Sequence, residues 1–113
     1  MGNGGGTSFL ALGDSYTIGE KVDSAARWPA QLARSLRLAG VEIDDPRIVA
    51  CTGWTTDELS AGIDAAGVTG TWSLVSLQIG VNNQYRGRPL DEYRSQFRAL
   101  LDRAVGFAGG TAA

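Results

Sequence analysis

The stretch "FLALGDSYTIGE", residues 9–20, decides how the rest of the chain is read. Its apolar start, continued from Ser8 to Leu12, stops at Gly13. A short run of this kind reads as a buried strand, because a half-exposed strand would alternate polar and apolar residues. Gly13-Asp14-Ser15 then places a hydroxyl just beyond the strand's carboxyl end, where nucleophiles are found, and residues 13–27 are expected to form a loop. The chain nevertheless contains no histidine to take a proton from that serine.

Moving outward, the pattern repeats. "WPAQLARSLRLAG" (28–40) carries Pro29 where a first helical turn tolerates it, Trp28, Leu32 and Leu36 four apart, and Gly40 as a stop signal, so an amphipathic helix is expected. "RIVAC" (47–51) reads as a second buried strand. Thr55 and Glu58 follow at capping-box spacing, opening a helix that runs to about Ala65. "WSLVSLQIG" (72–80) predicts a third strand with Val75, Leu77 and Ile79 on one face. Finally, "LDEYRSQFRALLDRAVG" (90–106) sets Tyr93, Phe97, Leu100, Leu101, Ala104 and Val105 on one helical stripe. Strands separated by helices run parallel with right-handed crossovers. The expected fold class is therefore α/β: three layers, with helices on both faces of a parallel sheet of about three strand-helix units, in a single domain over 8–113 after a flexible glycine-rich leader at 1–7.

Composition excludes several functions. The chain has 113 residues, 10 basic against 12 acidic, with no basic stripe for nucleic acid. Its one cysteine, Cys51, allows no internal disulfide and offers no zinc-ligand spacing; it is expected to be a small core residue. No cofactor or metal is implied. No segment approaches the roughly 20 apolar residues that span a bilayer, and the start lacks a secretory pattern, so a cytoplasmic protein is expected.

In a parallel α/β sheet ligands bind beyond the carboxyl ends of the strands. The loops found there carry Gly13, Asp14 and Ser15 after the first strand, Gly53 after the second, and Gly80, Asn82 and Asn83 after the third. Acyl transfer needs a nucleophile together with donors for the oxyanion, and a serine, a glycine N–H and an asparagine amide are of those types. Asp14 is expected to brace its loop, not to act as a triad acid. Trp54, beside Gly53, is the plausible pocket wall. Arg86 and Arg88 are expected to be solvated and carry no role.

With these residues in place, "GDSYTIGE", the glycine after the second strand and "GVNN" after the third resemble the first three blocks of the SGNH or GDSL hydrolases, serine esterases and lipases with a flavodoxin-like sheet. The resemblance runs from Phe9 to about Val105. It implies Ser15 as nucleophile and first oxyanion donor, Gly53 as the second, Asn82 as the third, and a small ester as substrate. Two departures stand out. Asn83 occupies a place the family usually gives to aspartate, and the family's Asp-x-x-His block, which carries the general base, has no counterpart before Ala113. The chain therefore resembles the N-terminal portion of such an enzyme and is expected to be inactive alone.

Other readings are a flavodoxin-like module holding a phosphate through Ser15, Thr17 and Gly19, and a non-catalytic, self-associating chain. In the family's strand order the third strand lies at an open edge, through which the chain would form homo-oligomers.

Overall fold

The computed structural model describes residues 7–18, 23 and 26–109. Three strands, β1 (Phe9–Gly13), β2 (Arg47–Ala50) and β3 (Leu74–Gln78), form one parallel sheet in the order β2-β1-β3. Helices α2 (Trp28–Leu38), α3 (Thr56–Ala66) and α5 (Leu90–Phe107) connect or follow them. Two short helices, α1 (Ser15–Ile18) and α4 (Val81–Tyr85), occupy segments whose sequence suggested only loop.

β1 is buried along its whole length, as its unbroken apolar run requires. Its side chains divide between two cores. Leu10 and Leu12 join Val49, Leu59, Ile63, Ile79, Leu100 and Ala104 on the face covered by α3 and α5. Phe9 and Ala11 join Ala33 and Ile43 on the face covered by α2, with Trp28, Leu32 and Leu36 packed against them. The result is the three-layer α/β/α arrangement.

Capping follows the sequence at α3, where Glu58 Oε1 accepts the Thr55 N–H at 3.0 Å in a capping box and Gly67 ends the helix at φ +65°. Of the expected leader, residues 1–6 lie outside the described residues. Thr7 forms a parallel bridge to Ile43 and so extends the sheet. Among the described residues no helix is long and apolar enough to cross a membrane.

Candidate active site

The register brings the three loops together. Gly13, the last residue of β1, sits beside Ala50 on one side and Gln78 on the other, so β1, β2 and β3 end level and release their loops at the same rim. Ser15 begins α1 two residues past Gly13, and α1 packs against β1 and β2. Asp14 is 1% exposed and braces this corner: its Oδ1 accepts the Tyr16 N–H at 3.0 Å, and its carbonyl accepts the Thr17 and Ile18 N–H groups. Ser15 is half-buried at the first helical position, where a backbone N–H has no intrahelical acceptor.

Gly13 is required by what folds over it. A Cβ there would lie 2.1 Å from Thr17 Oγ1 and 2.7 Å from the Gln78 carbonyl. Thr17 is fully buried and hydrogen-bonds Gln78 Oε1 at 3.1 Å, so it is committed to the scaffold. A buried, engaged Thr17 is a poor phosphate ligand, and the third residue of that alternative, Gly19, lies outside the described residues.

After β2 the chain turns at once. The Trp54 N–H closes on the Cys51 carbonyl at 3.3 Å, and Gly53 holds φ +83° while Thr52 keeps a negative φ, the pattern of a type II turn. The turn type matters because the Thr52–Gly53 peptide, which carries the Gly53 N–H, points oppositely in types I and II. Glycine at the third position selects the second. Cys51 is exposed, not in the core: β2 ends at Ala50, and the residue after it already belongs to the turn. The Trp54 indole packs over Gly62 against the α3/α5-side core, and its carbonyl is turned toward Asn82.

That carbonyl accepts from Asn82 Nδ2 at 3.0 Å. An amide nitrogen has two hydrogens, so this bond orients the carboxamide and leaves the second N–H for another acceptor. Asn83, 2% exposed, is bound to the start of α3: its Oδ1 accepts the Thr56 N–H at 3.1 Å, and its Nδ2 donates to Thr56 Oγ1 at 2.9 Å. Thr56 in turn donates to Gln96 Oε1, and Gln96 Nε2 donates to Glu92 Oε1 at 3.2 Å. Direction is fixed from both ends of this chain of bonds, since a backbone N–H only donates and a carboxylate only accepts. An amide at position 83 fits that direction where an ionised carboxylate would have no hydrogen for Thr56. Gly80, φ +136°, admits the Tyr93 ring, which a Cβ would meet at 2.8 Å.

The arginines expected to be merely solvated are engaged. Arg86 reaches the Gly53 carbonyl at 2.6 Å and Glu58 at 3.2 Å, while Arg88 pairs with Asp57 at 2.9 Å. The hydrogen bond from the Thr55 hydroxyl, aided by Arg88, holds the Asp57 carboxyl below the usual range. The Thr55 N–H and hydroxyl, with Arg86, do the same for Glu58. Among the described residues no group of three acidic, cysteine or histidine side chains could hold a metal. A hollow of about 640 Å³ lies on the far side of α4, lined by Ile79, Val81, Leu90 and Tyr93 among others, and excludes Ser15, Gly53 and Asn82.

The family model of the GDSL-like lipase/acylhydrolase family matches residues 11–112, a span containing every residue described in these loops. The chain belongs to the GDSL-like lipase/acylhydrolase family. Solved structures agree. AlinE4, an SGNH-hydrolase family esterase, superposes with a TM-score of 0.75 at 27% identity over 91% of this chain. TesA gives 0.79 at 20% identity over 90%, and the psychrotrophic esterase EstA from Pseudoalteromonas sp. gives 0.68 at 18%, both likenesses of fold. The chain spans 54% of AlinE4 and 56% of TesA. No curated protein sequence matches it.

Proposed function

We propose that this chain carries the nucleophile and the oxyanion-binding groups of a serine ester hydrolase. Ser15 Oγ attacks the ester carbonyl. The negative charge that develops on its oxygen is met by the Ser15 N–H, the Gly53 N–H set by the type II turn, and the Asn82 N–H left over from the Trp54 carbonyl. Each such donor is worth about 3–4 kcal/mol to the transition state. The observation that carries the reading is the level ending of the three parallel strands, with Asn82 tied directly to the Gly53 loop. Gly13, Asp14, Gly80 and Asn83 support the site: Gly13 and Gly80 leave room for Thr17 and Tyr93, and Asp14 and Asn83 anchor the loops that carry Ser15 and Asn82. AlinE4 is an esterase, which makes a carboxylic ester the favoured substrate class.

These 113 residues contain no histidine, and a serine hydroxyl is weakly nucleophilic without an adjacent base. The chain alone is therefore expected to turn over a short-chain nitrophenyl ester negligibly. A fluorophosphonate probe tests the assignment, with imidazole added to supply the base. Labelling should rise with imidazole concentration and vanish in Ser15→Ala; labelling that persists in the alanine variant would refute the nucleophile.

A second reading rests on the sheet edge. The Leu74 N–H donates to the Ser8 carbonyl, so Leu74, Ser76 and Gln78 face β1 and the backbone groups of Val75 and Leu77 point away from the sheet. On α5, which packs on β3, Tyr93, Phe97 and the 45%-exposed Leu101 line one shallow hollow together with Arg94 and Arg98. A second copy of the chain pairing there would cover both the edge and the stripe.

A further inference from the structure

The hydrogen bonds between α4 and the β2–α3 loop form a clamp, and one member of it lies outside every motif that marks the site. Arg86 directly follows α4, its own N–H bonded to the Asn82 carbonyl at 2.9 Å, so guanidinium and carboxamide leave one short helical segment. The two grip adjacent carbonyls of the same turn. Arg86 Nη2 reaches Gly53 O at 2.6 Å, and Asn82 Nδ2 reaches Trp54 O at 3.0 Å. Asn83 pins the Thr56 N–H just beyond. A guanidinium suits the first of these places because its fork bonds the Gly53 carbonyl and Glu58 together, and a charged donor bonds a carbonyl more strongly than a neutral one.

We propose that Arg86 is a positioning residue for the oxyanion-binding groups, fixing the spacing between the Gly53 N–H and the Asn82 amide by holding the Gly53 loop onto α4. This rests on the hydrolase reading for its purpose, but the geometry it asserts does not. Without Arg86 the turn retains the bond from Trp54 N–H to Cys51 O, a long one at 3.3 Å, and the Asn82 contact. The loop would then sample positions in which the two donors no longer address one oxygen. Glu58 is a separate matter: a glutamine there still accepts in the capping box while giving up the charge opposite Arg86.

Amide hydrogen exchange and ¹⁵N spectra of the chain, with no chemistry required, decide the point. In Arg86→Gln the Trp54 N–H should exchange about tenfold faster, as for loss of a charge-assisted bond, with a correspondingly modest fall in melting temperature, and the Gly53 backbone-amide and Asn82 side-chain signals should move while those of β1 stay in place. Glu58→Gln should leave those signals in place. Unmoved Gly53 and Asn82 signals in Arg86→Gln, equal disturbance in both variants, or signal shifts spread evenly over the whole chain would overturn the proposal. If Ser15 labelling fails while the exchange result holds, the hydrolase reading falls and the clamp stands.

Discussion

The corner where α4 meets the β2–α3 loop and the outer flank formed by β3 and α5 are built on opposite terms. At the corner, Asn82, Asn83, Arg86 and Arg88 each find an acceptor or ion partner in residues 53–58. At the flank, the backbone groups of Val75 and Leu77 face outward, and Leu90 and Leu101 are exposed. A polar cluster gains its value from completeness, since each buried group left without a partner costs more than each added bond contributes. An apolar flank is neutral to folding and costs only solubility. Changes at the corner should therefore unfold or loosen the protein, whereas changes at the flank should alter what it associates with.

The largest effect is expected from Asn83→Leu. It removes both bonds to Thr56 and leaves a buried N–H without an acceptor, for a loss of about 2–4 kcal/mol in denaturant unfolding. Asn83→Asp keeps the acceptor, loses the donor to Thr56 Oγ1 and brings a carboxylate into a buried site, a charge that the start of α3 offsets in part, so about 1–2 kcal/mol is expected. An unchanged stability in Asn83→Asp would show that the direction of the hydrogen-bond chain through Thr56, Gln96 and Glu92 is immaterial.

A smaller effect belongs to acid. Asp57 and Glu58 both have carboxyl pKa values lowered in the folded chain. Folding therefore gains from them at pH values above the ordinary carboxylate range of about 4, and that gain fades as pH falls through this range toward their folded values. Both are well exposed, so the contribution is modest, and salt should weaken it further. Thermal melts from pH 6 to pH 3 should show a smaller fall in Tm for Asp57→Asn than for the parent. An identical fall would mean that the Asp57 carboxylate is indifferent to folding.

The contrast also explains what could be read without coordinates. Leu10, Leu12 and the Trp28-Leu32-Leu36 stripe are legible because burial imposes a period on sequence, and the order strand-helix-strand then dictates a parallel sheet. Gly53 and Asn82 could be proposed because the chemistry they would serve restricts the residue types at strand ends. The short helices α1 and α4 were not, since four or five residues are too few to display a 3.6-residue period. Arg86 was missed for another reason. Its acceptor, Gly53, lies 33 positions earlier, and nothing in "QYRGRP" distinguishes an arginine that meets a carbonyl from one that meets water. Cys51 was misjudged because an apolar run does not reveal where its strand stops and its turn begins.

The smallest effect on stability is expected at the flank. Leu101 is 45% exposed on the side of α5 away from α3, and Leu101→Lys should change unfolding free energy by no more than about 0.5 kcal/mol. Association is where it should register. A lysine on an apolar stripe beside an open strand is a device that sheet proteins use against edge pairing, because covering the surface would then desolvate a charge. Light scattering should accordingly find a parent chain whose mass rises with concentration and a lysine variant that stays monomeric. A parent that is monomeric at every concentration would show that the Val75 and Leu77 edge is protected by its own twist and shortness, and the flank would lose its role as a surface for a second copy.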